Sequence, residues 1–134
     1  MPKALAIIAA VGMGIAALAN GFFMLASPEG WYLAVPGVTT TGPFNQHFVR
    51  DIGLIFLGVG AAFLLGAARP RLRVFLWAAA SLWLTGHALF HFWEVAAGIS
   101  AHSAMGRDFA AVTLPAIIGI VLSFWAIRDG KEAR

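Results

Sequence analysis

Two short polar clusters interrupt long apolar segments of this chain and contain the side chains that could do chemistry. In the first cluster, His47 and Asp51 are four residues apart. In the second cluster, His87, His91 and Glu94 recur at intervals of four and three residues. In a helix, each of these spacings places the side chains of a cluster on one face. An ionisable group at membrane depth costs about 2.5–3.5 kcal/mol on insertion scales, so such groups indicate a functional site.

The residue types of the two clusters match the ligands of a transition metal. Imidazole and carboxylate groups bind zinc, copper and iron. A rise of about 1.5 Å per residue places both clusters in the outer half of two antiparallel helices, so we expect them to meet in a pocket that opens outward. The predicted metal ligands are His47, Asp51, His87 and His91. Glu94 is predicted to be a further ligand or the hydrogen-bond partner of one.

Other metal centres agree less well with the sequence. The pair His87 and His91 has the spacing used in zinc hydrolases, but the glutamate follows the pair instead of standing inside it. A di-iron bundle needs several carboxylates in the order Glu-x-x-His, which is reversed here and occurs once. A haem needs histidines at similar depth on two helices, and His47 is offset from the other two by about 4–10 Å along the bundle axis.

The same side chains also have purely structural interpretations. His47 lies near the expected membrane interface as a hydrogen-bonded side chain, and Asp51 can balance the dipole at a helix start. Asp108, which follows Arg107, is interpreted as a helix cap, and His102 lies in a loop. Ordinary interhelical hydrogen bonding would satisfy the whole set without a metal.

The composition of the 134-residue chain is that of a membrane protein. Hydrophobic residues make up 60% and charged residues 11%, against about 25% charged in a soluble domain, and the mean hydropathy is +0.84. Cysteine is absent, which excludes disulfides, thiolate ligands and thiol redox chemistry. The pI of about 10.2 is ascribed to arginines in loops, so we do not expect nucleic-acid binding.

Four segments are long and apolar enough to span a bilayer, which takes about 20 residues. They cover about 4–26, 44–68, 74–97 and 107–127, so we predict a single all-α, four-helix transmembrane domain. Of the nine lysines and arginines, seven flank one side and two the other, which places both termini in the cytoplasm. We expect a bacterial inner-membrane protein whose outer loop 27–43 lies either as a cap on the bundle or as an amphipathic strip at the membrane interface.

The start of the second span has a recognisable pattern. Residues 49–58 read VRDIGLIFLG, an Arg-x-x-Gly helix start followed by a glycine-spaced apolar run, and they come after a proline-rich outer loop. In this outline the chain resembles the small bacterial four-helix membrane proteins of the DoxX-like type. The resemblance covers most of the chain and concerns its architecture. It implies a four-helix bundle and carries over no catalytic residue.

Three classes of function agree with these features. The leading hypothesis is a small polytopic membrane protein whose outward-facing histidine and carboxylate pocket binds zinc, copper or iron. The second is a non-catalytic accessory or scaffold subunit, either as a homo-oligomer or in a larger membrane complex, whose polar groups form interhelical hydrogen bonds. The third is a haem protein, a small transporter or a proton relay. The sequence leaves open whether the chain is an enzyme.

Overall fold

The computed structural model describes residues 1–132, with side chains described through residue 130. Within this part the chain is helical and has no strand, so the all-α prediction is confirmed. The helices are α1 (Lys3–Ala26), α2 (Pro28–Ala34), α3 (Gln46–Ala68), α4 (Pro70–Ala96), α5 (Ala104–Asp108) and α6 (Leu114–Glu132). A 3-10 turn covers Val38–Thr40, and a π-helical turn covers Phe109–Thr113.

Four helical segments are long and apolar enough to cross a membrane, as predicted: Lys3–Ala26, Gln46–Ala68, Pro70–Ala96 and Ala104–Gly130. Large apolar side chains point away from the bundle along all of them, among them Ile8, Leu54, Leu82 and Phe124, each more than half exposed. In a membrane, lipid would cover these apolar side chains. A helix can lie there because its backbone N–H and C=O groups bond to each other within the helix. The architecture is therefore that of an integral membrane bundle.

Two spans begin earlier than predicted. The third begins at Pro70, where the sequence predicted residue 74, and only Arg69 separates it from α3. Proline suits the first turn of a helix because its missing N–H would have no partner there anyway. The fourth helical segment begins at Ala104, where the sequence predicted residue 107. Both differences move charged residues from the ends of a span to positions inside it.

The fourth segment changes its winding at the π-helical turn. The N–H of Leu114 donates to the carbonyl of Phe109, five residues back. Pro115 follows directly, and in a regular helix its ring would collide with the carbonyl of Ala111. The wider turn encloses Ala111, so it accommodates the proline without ending the helix.

Close contact between α1 and α3 depends on glycine. A Cβ added at Gly60 would lie 2.8 Å from the carbonyl oxygen of Gly14, and one added at Gly21 would lie 2.7 Å from that of Gly53. Small residues at these positions allow two backbones to approach closely inside a membrane. α3 also packs on α4, and α4 on α6, while α1 and α6 meet only briefly.

A charged group is buried at the end of the bundle where α3 passes into α4. Arg73 is 3% exposed and donates to the carbonyls of Gly66 and Ala67 at 3.0 and 3.2 Å. It also donates to Asp129 of α6 at 3.0 Å. These bonds satisfy the last carbonyls of α3, which have no partner within their own helix. Arg73 therefore joins α3, α4 and α6.

The predicted cap at the opposite end contains α2 and the 3-10 turn. Trp31 Nε1 of α2 donates to Asn20 Oδ1 of α1 at 2.9 Å, and Pro28 is buried. The Tyr32 hydroxyl donates to the carbonyl of Gly42 at 2.7 Å. α2 is thereby held against α1, and the loop is closed on itself.

Candidate functional site

His87 and His91 of α4 lie in an aromatic column. Their ring centroids are 4.7 Å apart in an edge-to-face arrangement. The Trp83 indole stacks on His87 with centroids 5.2 Å apart, and Phe56 of α3 meets Trp83 edge-on at 5.1 Å. The i, i+4 spacing on one helix face produces this column, as the sequence predicted.

Asp108 completes the polar end of the column. Its Oδ2 lies 3.1 Å from His91 Nδ1, and the two side chains are only 14% and 27% exposed. Arg107 donates to the same carboxylate twice, through Nε at 2.6 Å and Nη2 at 3.0 Å. Because a carboxylate only accepts, this pair places a hydrogen on His91 Nδ1 and leaves Nε2 of a neutral ring as an acceptor.

The outer loop closes over Arg107. Gly37 adopts a left-handed conformation with φ 87°, which favours glycine. A side chain at Gly37 would also collide with the Arg107 guanidinium. The backbone conformation favours glycine at position 37, and any other residue would also have to displace the guanidinium, which is the flexible end of its side chain. The polar series thus continues from the column through Asp108 to the surface loop.

Little space remains beside this group. A cavity of about 10 Å³ lies next to His91 and Asp108, and it is also lined by Phe92, Val95, Ala104, Met105 and Thr113. That volume is about one water molecule. Nothing of substrate size would fit there without a rearrangement of the helices.

Among the described side chains, the other predicted site residues make no hydrogen bond to this group. His47 Nε2 and Asp51 Oδ2 pair with each other at 3.2 Å at the start of α3, and their side chains are 88% and 54% exposed. The backbone carbonyl of Glu94 accepts from the N–H groups of Ile99 and Ser100 at the end of α4. His102 is exposed in a turn.

The predicted metal ligands do not form a metal-binding group. Among the side chains that the structure describes, no three from His, Asp or Glu are placed to hold an ion. Zinc takes three or four protein ligands at about 2.0–2.3 Å. Two of the five candidates, His47 and Asp51, pair with each other. His87 contacts His91, and only His91 pairs with Asp108. The described geometry therefore does not support the metal site or the histidine cluster expected from the sequence.

Asp108 is the residue that the sequence interpretation placed wrongly. We expected the fourth span to start at Arg107, which would leave Asp108 at the rim as a cap. The segment starts at Ala104, so Asp108 lies about 6 Å inside it by helical rise. The depth of His91 below the end of α4 is comparable. The available signal was the Arg107–Asp108 pair itself, two charged residues next to a long apolar run.

The bundle with its paired intramembrane groups thus belongs to the class of small four-helix integral membrane proteins. No family model, curated protein or solved structure matches the chain.

Proposed function

We propose that this chain is a non-catalytic accessory or scaffold subunit of a membrane complex. The observation that carries the proposal is the pairing of its buried polar side chains. Among the described residues, no buried side-chain nitrogen or oxygen lacks a hydrogen-bond partner. An active site keeps some polar groups available to a substrate, whereas a structural subunit uses them between its helices.

The interhelical pairs occur at several depths of the bundle. Ser81 of α4 and Ser123 of α6 lie 3.0 Å apart between their hydroxyl oxygens. Deeper toward the Arg73 end, Trp77 Nε1 donates to the carbonyl of Phe63 at 3.0 Å. With His91 and Asp108 near the other end, α4 is fixed to its neighbours along its length.

Mass spectrometry of intact complexes tests the proposal. We expect the chain, extracted from its native membrane in mild detergent, to carry a second polypeptide or further copies of itself in a fixed ratio. Metal analysis of the same preparation should give no stoichiometric zinc, copper or iron. A chain that runs alone and holds one metal ion per molecule would refute the proposal and restore the metal-binding hypothesis.

A proton relay is the second candidate, and the order of its groups favours it. From the surface loop inward the series runs through Arg107, Asp108, His91 and His87. Below His87 the next side chain of α4 that bonds to the fourth span is Ser81, six residues or about 9 Å away and about 120° around the helix. Leu84 is 5% exposed between them. No direct hydrogen bond spans that distance, so the relay reading requires water at this point.

Proton flux into vesicles separates the two candidates. A relay predicts that reconstituted protein collapses a pH gradient faster than empty vesicles, and that Asp108→Asn abolishes the difference. Asp51→Asn is the matched control, because it changes the exposed histidine–aspartate pair. A proton flux equal to that of empty vesicles would refute the relay and be consistent with the scaffold proposal.

Membrane type and orientation are part of the same proposal. The seven-to-two distribution of positive charge supports cytoplasmic termini and a bacterial inner membrane. The resemblance of residues 49–58 to DoxX-like proteins supports the same setting. A reporter fused to the C-terminus and another in loop 27–43 would report opposite sides, and a C-terminus outside would contradict the orientation.

A further inference from the structure

A cleft opens at the end of the bundle that is opposite to the histidine column. It has a volume of about 670 Å³ and is lined by Met1, Val121, Phe124, Trp125, Arg128 and Asp129. A volume between about 300 and 1,000 Å³ is usual for a small-molecule site. The cleft lies along α6, where α1 and α6 meet only briefly.

The lining separates into an apolar wall and a cationic rim. Val121, Phe124 and Arg128 are at i, i+3 and i+7 of α6, so they form one stripe. Val121 is 49% and Phe124 64% exposed on the lipid-facing side. Arg128 follows about 10 Å further along the axis from Val121, near the end of the span. This order of groups matches an amphiphile whose charged head lies at the membrane surface and whose chain points toward the midplane.

Two other polar side chains of the cleft already have partners. Trp125 Nε1 donates to the carbonyl of Met1 at 3.0 Å, which fixes the start of the chain beside α6. The Asp129 carboxylate accepts from the buried Arg73 at 3.0 Å, so its charge is balanced within the bundle. The exposed guanidinium of Arg128 is a cationic group at the rim.

Charge at this end favours an anion. By sequence, seven lysines and arginines flank the spans on this side of the membrane, whereas the acidic residues on this side are Asp129 and Glu132. Basic pockets beside transmembrane helices bind anionic head groups. We propose that the cleft binds one anionic phospholipid, its phosphate against Arg128 and an acyl chain along Phe124 and Val121. This inference is independent of the function proposed above.

Fluorescence quenching tests this directly because Trp125 lines the cleft. The protein is reconstituted in phosphatidylcholine vesicles that contain either phosphatidylglycerol or phosphatidylcholine with dibrominated chains. The part of the quenching that comes from Trp125 is the difference between the wild-type protein and the Trp125→Phe variant. We expect brominated phosphatidylglycerol to quench this part at about fivefold lower mole fraction, as one cation near the surface predicts.

Arg128→Gln should abolish the preference for phosphatidylglycerol. Arg71→Gln should keep it, because Arg71 is exposed at the same end of the bundle but does not line the cleft. Native mass spectrometry gives a second readout without Trp125→Phe: one phosphatidylglycerol retained by the wild type and by Arg71→Gln, and none by Arg128→Gln. Equal loss in both variants would reveal diffuse surface attraction and overturn the proposal. So would equal quenching by the two lipids, or displacement by soluble glycerol phosphate, which would indicate a free-phosphate site.

Discussion

His91 Nδ1 of α4 lies 3.1 Å from Asp108 Oδ2, and this contact joins the third span to the start of the fourth. The carboxylate also accepts two bonds from Arg107. A partly buried carboxylate with three charge-assisted or polar contacts is worth more than an exposed ion pair, because water competes less for it. The chain offers an exposed histidine–aspartate pair for comparison, His47 with Asp51.

We expect Asp108→Ala to lower the free energy of unfolding by about 1.5–3 kcal/mol, the usual range for a hydrogen bond to a charged group. Asp51→Ala, the matched control, should cost about 0–1 kcal/mol because its pair is exposed. Thermal unfolding in detergent, followed by circular dichroism, measures both. Equal losses would mean that the Asp108 contacts contribute no more than a surface pair.

Arg73→Gln should destabilise the bundle by about 3–5 kcal/mol, because it leaves a partly buried Asp129 without its cation. Arg73→Lys should recover only part of this, since an ammonium cannot reproduce the planar fork that reaches two carbonyls and a carboxylate. Arg71→Gln is the exposed control and should be nearly neutral. The same unfolding assay applies, and full stability of the lysine variant would contradict the geometric argument.

Substitution of two nearby glycines of α3 should have opposite effects. Gly60→Ala introduces a Cβ 2.7 Å from Leu18 Cγ and 2.8 Å from the Gly14 carbonyl, so we expect a loss of about 1–3 kcal/mol from overpacking. Gly58 has nothing within 4 Å of an added Cβ. Gly58→Ala should therefore raise the free energy of unfolding by about 0.5–1 kcal/mol, because alanine loses less backbone entropy on folding than glycine does. Titration with a denaturing detergent distinguishes the signs, and a neutral Gly60→Ala would argue against close α1–α3 contact.

The outer cap should loosen when the Trp31 contact is removed. Trp31→Phe keeps an aromatic ring but loses the hydrogen bond to Asn20. We expect this to lower the free energy of unfolding by about 0.5–1.5 kcal/mol. Hydrogen exchange in residues 27–43 should then speed up while exchange in α4 stays unchanged. Asn20→Ala should have at least the same effect, since it also removes the Asn20 Nδ2–Met24 Sδ contact at 3.7 Å. The double variant should be no worse than Asn20→Ala alone, because both substitutions remove the Trp31–Asn20 bond. Additive effects would show that the two side chains act separately.

Hydropathy predicted the four spans because membrane helices need long apolar runs whatever their packing. It misplaced the starts of the third and fourth spans, since Pro70 and Ala104 begin helices for local reasons of backbone geometry. The partnership of His91 depended on one such end. Spacing within a helix identified the His87–His91 column, but which helix faces it is a property of tertiary packing. For the same reason, facing stripes of equal depth suggested a shared site for His47 and His91 that the described geometry does not support.

The π-helical turn between Asp108 and Leu114 has a consequence for rotational phase. Each residue of a regular helix advances about 100° around the axis, and a π turn takes up roughly one residue more than an α turn. The segment above the turn and the segment below it can therefore be oriented separately, the first toward His91 and the second toward Ser81. If the same residues, Phe109–Thr113, were wound as a regular α-helix, Asp108 would turn by about 100° relative to Ser123. The two ends of α4 could then no longer both keep their partners on the fourth span.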